Sequence, residues 1–259
     1  MRDAGHQLKW VIRDDDFILG NCQRSLFDRG PEPSFHRVIM NPPYFKLRKE
    51  STQAQVMKHV VHGQPNIYSL FMAAAADLLV PGGEMVAITP RSYFNGPYFR
   101  KFRKWFFDRL SARSIHVFQS RTEAFKEDAV LQESVILHAE KGGLPQPILL
   151  TTSHGRSLAG MQRRTVPYEN VIDDRNGDHV VRVTSNAVEE EILAVIDRLP
   201  LRFSEAGFEI STGPVVNFRC LDFLRHEQAD DTAPLLWMHN VRPFITRFPP
   251  KNGKPTHIV

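Results

Sequence analysis

Short apolar runs and longer amphipathic segments alternate along the first 140 residues of the chain. The apolar runs are bounded by polar or turn-forming residues, an arrangement that predicts β-strands. The predicted strands cover residues 16–19, 38–40, 84–89, 115–118 and 134–139. Because strands that alternate with helices usually form sheets of parallel character, the pattern predicts an α/β fold.

Two segments between these strands carry apolar residues at helical spacing. The stripe of the first helix, which the stop signals Pro81 and Gly82 follow, consists of Ile67, Leu70, Phe71, Ala74 and Leu78. The stripe of the second helix consists of Phe99, Phe102, Phe106 and Leu110. Residues 46–66 are polar and weakly periodic, and we expect them to form a mobile loop.

The pattern changes after residue 140. Gly142 and Gly143 interrupt it, and residues 141–183 are expected to form irregular strands and loops. A further helix is predicted from Asn186, with Glu189 as its capping partner and Pro200 at its end. Its apolar stripe consists of Val188, Ile192, Val195, Ile196 and Leu199. The sequence therefore predicts three parts, residues 1–140, 141–200 and 201–259.

The composition is that of a globular protein, with 42% apolar and 24% charged residues among 259. No apolar run approaches the roughly 20 residues that span a bilayer, and the first residues have no signal-peptide pattern. We therefore expect a cytoplasmic protein with no membrane partner. The net charge of +4 is compatible with a polyanionic partner but does not require one.

The cysteines and histidines give no sign of a metal site. Cys22 and Cys220 stand far apart and belong to no Cys-x-x-Cys or Cys/His spacing, so we interpret both as structural thiols. The eleven histidines are scattered along the chain. The sequence therefore predicts neither a zinc site nor a disulfide framework, and no metal cofactor.

The segment Asn41-Pro42-Pro43-Tyr44 directly follows the predicted strand 38–40 and suits chemistry on an amino group. An aryl or amide NH2 is a poor nucleophile because its lone pair is delocalised. The Asn41 side-chain oxygen and the Pro42 carbonyl could each accept one N–H and return the lone pair to nitrogen. Pro42 and Pro43 would hold these acceptors rigidly, and Tyr44 could stack on a planar base.

A turn without any function would also explain this segment, because Asn-Pro commonly begins turns and a tyrosine often lies at the surface. The preceding strand favours the functional interpretation. Ligands of open α/β sheets bind beyond the carboxyl ends of the strands.

At this point the chain resembles the amino-methyltransferases that use S-adenosylmethionine, and most of all the N6-adenine DNA methyltransferases of restriction-modification systems, the Eco57I and TaqI type. The resemblance is strong over about residues 12–140. Besides the tetrapeptide it rests on three segments: Asp15 to Leu19, Ile67 to Pro90, and Glu123-Ala124-Phe125-Lys126 before the strand at 134–138. It implies an α/β, Rossmann-like, S-adenosylmethionine-dependent methyltransferase core.

The resemblance also implies roles for individual residues. Asp16, with a possible register shift to Asp15, would bind the adenine amino group of the cofactor. Phe17, Phe71, Asn41 and Pro42 would complete the cofactor site. The target adenine would leave double-stranded DNA, stack between Tyr44 and Phe125, and present its amino group to Asn41 and Pro42. Tyr44 and Pro43 complete the catalytic tetrapeptide.

The second predicted helix adds a possible DNA contact. Its basic residues are Arg100, Lys101, Arg103, Lys104 and Arg109, against the single acid Asp108. A solvated surface helix would have the same pattern. If the helix flanks Tyr44, its basic face could contact phosphates without reading the DNA sequence.

Residues 201–259 resemble the start of the target-recognition domain of these enzymes. The resemblance is weaker here and rests on Ile210-Ser211-Thr212-Gly213 and on residues 235–244, with Asn240-Val241-Arg242-Pro243 as the most suggestive segment.

One departure from the family pattern concerns the cofactor. The family binds the methionine end of S-adenosylmethionine on a Gly-rich turn upstream of the acidic motif, and only fifteen residues precede Asp16. We therefore expect an incomplete enzyme from a truncated or split gene, or one whose first strands come from a second polypeptide. The isolated chain could be inactive.

Three other functions remain open on the sequence alone. The tetrapeptide also occurs in methyltransferases that modify a glutamine amide of translation release factors. RNA could carry the target adenine in place of DNA. A chain without the Gly-rich turn could also serve as a non-catalytic DNA-binding fragment of a defence system.

Overall fold

The structure of the protein is a computed structural model that describes residues 10–22, 34–118, 133–153, 160–203, 205–209, 213–249 and 253–259. The chain forms two compact units, residues 1–192 and 193–259. The predicted division at residues 140 and 200 stays a prediction.

The first unit is built around a six-stranded sheet with the strand order β1-β2-β4-β3-β5-β6. The strands are β1 (Phe35–Met40), β2 (Leu79–Pro90), β3 (Leu110–Phe118), β4 (Ser134–Lys141), β5 (Ile148–Ser153) and β6 (Gln162–Val166). The helices are α1 (Phe17–Cys22), α2 (Thr52–Val56), α3 (Ile67–Leu78), α4 (Arg100–Phe107), α5 (Tyr168–Val171) and α6 (Ala187–Asp197). A two-stranded ribbon pairs β7 (Ile172–Asp173) with β8 (Val180–Val181).

The α/β fold is confirmed, but the sheet is mixed and not mainly parallel. Only β1 with β2 and β3 with β5 pair in parallel. β4 lies between β2 and β3 and is antiparallel to both, and β6 is antiparallel to β5. Hydrophobic periodicity identifies strands but contains no information on their direction, so the sequence pattern could not reveal this arrangement.

The predicted strand at residues 16–19 is wrong, because Phe17–Cys22 forms α1. The side chain of Asp16 accepts a hydrogen bond from the Leu19 backbone N–H at 2.8 Å. Its carbonyl accepts one from the Gly20 N–H, also at 2.8 Å. An aspartate that pairs with the backbone N–H three residues later is a helix N-cap, and this local interaction prevails over the strand-like apolar run.

Helix α3 ends at Leu78, the last residue of its predicted stripe, and it is buried on almost every side; the expected stop signals Pro81 and Gly82 lie in β2. The small side chains Ala73–Ala76 allow close packing, and Phe71 is the member of the predicted stripe that stays partly exposed. The ammonium group of Lys141 donates hydrogen bonds to the carbonyls of Ala76, Asp77 and Leu79 at 2.8, 3.1 and 2.6 Å. A cation thus satisfies the last carbonyls of the helix, as the helix dipole favours.

Residues 46–66, expected to form a mobile loop, contain regular structure. They contain α2, whose N-cap is Ser51, and Lys46 forms an isolated β-bridge with Asn66. Ala54, Met57 and Val60 are buried and anchor the segment to the core. The many polar residues of this segment made the periodic signal too weak to predict this packing.

The expectation for residues 141–183 also needs correction. The sheet continues past Gly142 and Gly143, because β5 and β6 extend it beyond β3. Helix α6 does begin after Asn186 with the predicted cap, in which the Asn186 side chain accepts from the Glu189 N–H at 2.9 Å. Its apolar stripe is not packed, however, and none of its described residues is buried.

The second unit contains only short elements. Its strands are β9 (Leu224–Arg225), β10 (Ala233–Pro234), β11 (Val241–Arg242), β12 (Ile245–Thr246) and β13 (His257–Ile258). β13 lies between β10 and β9, and β11 and β12 form a separate hairpin. Leu235, Asn240 and His257 are the buried residues of the described part of this unit.

Candidate functional site

The tetrapeptide lies where the sequence predicts, directly after the carboxyl end of β1. Pro42 is buried, Tyr44 is half-buried, and Asn41 and Pro43 are exposed. The buried proline fixes the turn to the protein, because its ring sets φ and packs inside. The amide of Asn41 is left open to solvent at the end of the strand.

The Tyr44 hydroxyl holds the Asn41 side chain. It lies 2.6 Å from Asn41 Oδ1 and 2.9 Å from the carbonyl oxygen of Ile88 on β2, so its single proton is shared between two acceptors. The Tyr44 ring meets the Tyr68 ring edge to face, with centroids 6.3 Å apart. Burial raises the Tyr44 pKa to about 12, so the hydroxyl keeps its proton at neutral pH and fixes the amide oxygen.

A cavity of about 420 Å³ lies beside the tetrapeptide. Its lining includes Asn41, Pro42 and Pro43 together with Phe17 of α1 and Phe71 of α3. The two phenylalanine rings are stacked, with centroids 5.1 Å apart and planes 22° apart. Because the rings touch, they form one continuous apolar wall, and a planar ligand would lie against this wall and not between the rings.

The structure therefore brings together four predicted cofactor residues, Phe17, Asn41, Pro42 and Phe71, from three elements that are distant in sequence. Helix α1 reaches this position because α1 contacts α3 and, through Ile18, the buried core. Phe71 faces the cavity as the one stripe position of α3 that the core does not cover completely.

Asp16 acts first as the N-cap of α1. Its second carboxylate oxygen accepts a hydrogen bond from the Gln53 side chain at 2.8 Å. The hydrogen bond from Leu19 N–H, more than any other interaction, lowers the pKa of Asp16, which keeps the carboxylate ionised. The neighbouring Asp15 pairs with the Arg13 guanidinium and not with the backbone of α1.

The predicted second aromatic wall, Phe125, and its neighbours 123–126 lie outside the described residues. The pairing of Tyr44 with Phe125 around a target base thus stays a prediction.

The predicted basic face of α4 is partly wrong. Arg103 is only 2% exposed. Its guanidinium donates to the carbonyls of Tyr93, Gly96 and Asp178 at 3.1, 2.7 and 2.9 Å. Burial lowers the Arg103 pKa from its usual value. Arg103 therefore ties α4 to two loops, and its burial keeps the guanidinium away from any phosphate at the surface.

Within α4 itself, the cations Arg100, Lys101 and Lys104 are exposed, and so is Arg109 after the end of the helix. Arg100 pairs with Asp178, and Lys104 pairs with Asp108 at 3.3 Å, one helical turn away. Exposed pairs of this kind contribute little to stability, so both cations could exchange their partners for a phosphate. Lys101 completes the exposed group.

Sequence reasoning missed three features of the site. Gln53, from the segment expected to be a loop, contacts Asp16. Arg37 lines the cavity and lies 3.4 Å from the Glu84 carboxylate. Phe35 and Ile39 on β1 are exposed, Ile39 by 87%. The apolar run containing Ile39 predicted a strand but not its place in the sheet, and the sheet order of the described residues puts β1 at an edge.

The described residues contain no helix that is both long and apolar enough to cross a bilayer. They also contain no group of three or more His, Cys, Asp or Glu side chains arranged to hold a metal ion.

A cavity at the carboxyl end of a sheet strand, lined by an apolar wall and an exposed amide, has the position and lining that are typical of ligand sites in α/β proteins. Residues 7–125 match the family described as Eco57I restriction-modification methylase. The match to this family over that segment confirms the resemblance seen in the sequence.

Two curated relatives match most of the chain. It is 34% identical over 247 residues to the type II methyltransferase M.PstI of Providencia stuartii, covering 93% of this chain and 48% of that protein. It is also 34% identical over 228 residues to the type II methyltransferase M.BsuBI of Bacillus subtilis, covering 87% of this chain and 45% of that protein. The chain thus spans about half the length of these relatives.

Among solved structures, the chain is similar to the type IIG restriction endonuclease BpuSI. The match covers 62% of this chain and 22% of the endonuclease chain. The TM-score is 0.44 and the identity 20%.

Proposed function

We propose that the protein transfers a methyl group from S-adenosylmethionine to the N6 amino group of adenine in DNA, as part of a restriction-modification or related defence system. The observation that carries this proposal is the position of Asn41 and Pro42 beside a cavity whose wall is the stacked pair Phe17 and Phe71. The relatives of the chain, which are type II methyltransferases, support the same class of reaction.

The residues of the cavity fit the adenosine part of the cofactor. A flat apolar wall favours the face of a purine ring, and about 420 Å³ is enough for a nucleoside. Phe17, Phe71, Asn41 and Pro42 would hold the cofactor, and Asp16 would accept from its adenine amino group through the free lone pairs of its carboxylate. The cofactor, when bound, supplies an electrophilic methyl group.

Asn41 would orient the target amine. Its side-chain oxygen has two lone pairs, and the Tyr44 hydroxyl uses one of them at 2.6 Å. The other lone pair can accept an N–H of the amine, while the Pro42 carbonyl accepts the second N–H. These two hydrogen bonds favour a tetrahedral nitrogen, whose lone pair is then available for attack.

Tyr44 would have two roles in this site. Its ring would stack on the target adenine, with Phe125 as the opposite wall, and its hydroxyl would fix the Asn41 oxygen. The adenine must first leave the duplex, which costs a few kcal/mol, because its amino group is otherwise paired and stacked. Arg100, Lys101 and Lys104 remain candidates for weak contacts with the DNA backbone, and Arg103 does not.

The edge of the sheet supports a role for a second polypeptide. β1 pairs with β2 on one side, and the described residues place no strand on its other side. Parallel strands are usually buried on both faces, yet Phe35 and Ile39 are exposed here. We propose that a strand from a further polypeptide pairs with this edge and brings the Gly-rich turn for the methionine end of the cofactor.

The test is transfer of a tritiated methyl group to duplex DNA, RNA and a release factor, with and without the product of the neighbouring gene. Asn41→Ala should lower the rate of transfer to DNA at least about 100-fold, the usual cost of losing a group that binds the reacting centre. Its affinity for S-adenosylmethionine, measured by calorimetry, should fall far less, because Phe17, Phe71 and Pro42 still line the cavity. Asn95→Ala is the matched control, because Asn95 is exposed and lies outside the cavity lining.

Each outcome assigns one function. Transfer to RNA or to the release factor, with none to DNA, would replace the proposed substrate. If the protein does not bind S-adenosylmethionine even with the second polypeptide present, the result would favour its role as a non-catalytic DNA-binding fragment. Normal transfer by Asn41→Ala would disprove the role of the amide.

A further inference from the structure

The hairpin formed by β11 and β12 has an unusual residue at its tip. Val241 pairs with Thr246 and Arg242 with Ile245, so Pro243 and Phe244 form the two-residue turn. Phe244 has a φ of 63°, a left-handed conformation that bulky side chains rarely adopt. The second position of such a turn favours glycine or asparagine. Phe244 is also fully exposed, so no packing in the described chain compensates for the strain.

The base of the hairpin is rigid, in contrast to its exposed tip. Asn240 is buried, and its side chain accepts from the Trp237 N–H at 2.7 Å and donates to the Arg247 carbonyl at 2.6 Å. The Arg247 N–H also donates to the Asn240 carbonyl at 2.8 Å. These bonds close the hairpin on both strands. The ring of Phe244 is therefore presented to solvent on a fixed support, which lowers the entropic cost of binding a partner.

The charge around the tip favours a polyanionic partner. Residues 232–259 contain Arg242, Arg247, Lys251 and Lys254 and no aspartate or glutamate. Arg242 and Arg247 are exposed on either side of the turn, and neither forms an ion pair within the described residues. An exposed aromatic ring between two unpaired arginines fits a nucleic acid, whose bases offer apolar faces and whose phosphates bind guanidinium groups.

We propose that the hairpin 241–246 is a DNA-contacting element, in which Phe244 inserts as an apolar wedge against the bases of duplex DNA while Arg242 and Arg247 bind the flanking phosphates. Phenylalanine is among the side chains that enter DNA in this way. The strained backbone is then explained by function, because glycine would relax the turn but remove the ring. This inference rests on the proposed function, since the partner is the same DNA.

The experiment measures the affinity of the full chain for fluorescently labelled duplex DNA of mixed sequence, by fluorescence polarisation over a series of salt concentrations. Phe244→Gly should weaken binding about tenfold, within the range for losing one base–aromatic contact, and should leave the salt dependence unchanged. Arg242→Ala and Arg247→Ala should each reduce the slope of log affinity against log salt concentration by about one.

A control variant and a second measurement distinguish insertion of the Phe244 ring into DNA from non-specific effects of losing an exposed phenylalanine. Phe218→Ala removes another exposed phenylalanine, one that also has an arginine, Arg219, 5.6 Å from its ring, and should bind DNA like the unsubstituted chain. Phe244→Gly should increase the protection of residues 240–247 from hydrogen exchange, because it relieves the strained turn. A purely structural role of Phe244 would instead reduce this protection.

The inference is overturned if Phe244→Gly binds DNA as tightly as the unsubstituted chain, or if Phe218→Ala weakens binding equally. The methyl-transfer assay is run at saturating DNA and measures a rate, so a failure of the hairpin proposal leaves that assay unaffected. If the unsubstituted chain does not bind duplex DNA, both the hairpin proposal and DNA as the substrate fail. Capture of a protein partner by the hairpin would then become the better explanation.

Discussion

Each of the two units of the chain is stabilised internally by a different kind of contact. In residues 1–192 a six-stranded sheet and the helices α3 and α4 bury a continuous apolar core. In the described part of residues 193–259 Leu235 is the single buried apolar side chain, and the strands contain two residues each. There the order comes from hydrogen bonds such as those of Asn240 and the bond from Trp237 Nε1 to the Pro255 carbonyl at 2.6 Å.

This difference shows in which parts of a protein hydrophobic periodicity predicts strands and helices. A buried core requires apolar residues at regular spacing, so the periodicity of the first unit reports its strands and helices. A unit ordered by side-chain to main-chain hydrogen bonds imposes no such spacing. Its residues can be recognised by resemblance to other sequences, but their structure does not follow from periodicity.

The largest expected effect comes from breaking the apolar core of the first unit. Phe106 is completely buried and touches Phe102 and Phe107. Phe106→Ala should lower the free energy of unfolding by about 3–5 kcal/mol, through lost burial and the cavity left behind. Leu235→Ala in the second unit should cost about 2 kcal/mol, because fewer groups pack around it. Urea unfolding, monitored for each unit by hydrogen exchange, measures both effects. Equal losses of unfolding free energy in the two variants would contradict the proposed difference between the units.

A second substitution tests whether a charge in the first unit acts as a core residue. Arg103→Ala leaves three main-chain carbonyls without their donor and should lower the free energy of unfolding by about 3 kcal/mol. The exposed neighbour Lys101 is the matched control, and Lys101→Ala should change stability by less than about 0.5 kcal/mol. Thermal unfolding of the two variants gives the comparison. An Arg103→Ala variant that is as stable as the unsubstituted chain but binds DNA more weakly would show that Arg103 contacts DNA phosphates after all.

The smallest effect is expected from the polar contacts of the second unit. Asn240→Ala removes two hydrogen bonds at the base of the hairpin and should cost about 1–2 kcal/mol. The loss should appear as faster hydrogen exchange of residues 237–247 and not in the sheet of the first unit. Asn217→Ala, at an exposed position, should leave this exchange unchanged. Unaltered exchange in Asn240→Ala would show that the hairpin does not depend on this side chain.

Most of the candidate site follows from a short segment of sequence. Asn41, Pro42 and Tyr44 were expected at the end of a strand, and they lie there. Phe17 and Phe71, assigned by resemblance, line the same cavity as Asn41. The hydrogen bond from Tyr44 to Asn41 was not expected, because residues three apart in a proline turn meet only when the turn has a particular shape. Gln53 was missed for a similar reason, since it approaches Asp16 only through folding.

The errors in the fold have a common cause. At Asp16 a single side-chain cap decides between helix and strand, and at Arg103 three carbonyls from distant segments decide that a cation is buried. Along α6 the stripe correctly predicts a helix, yet the described chain leaves Val188 and Val195 exposed. In each case the outcome depends on which groups meet in space, and periodicity contains no such information.

The sequence by itself determined the positions of most strands and helices of the first unit, because burial of one side of an element requires apolar residues at a fixed period. It also determined the tetrapeptide, whose residue types have a chemical meaning. Only the tertiary structure decided the direction and order of the strands, the open edge of β1, the aromatic wall of the cavity and the exposed ring at the hairpin tip. These features depend on contacts between residues far apart in the chain, and such contacts are fixed by packing and hydrogen bonding in three dimensions.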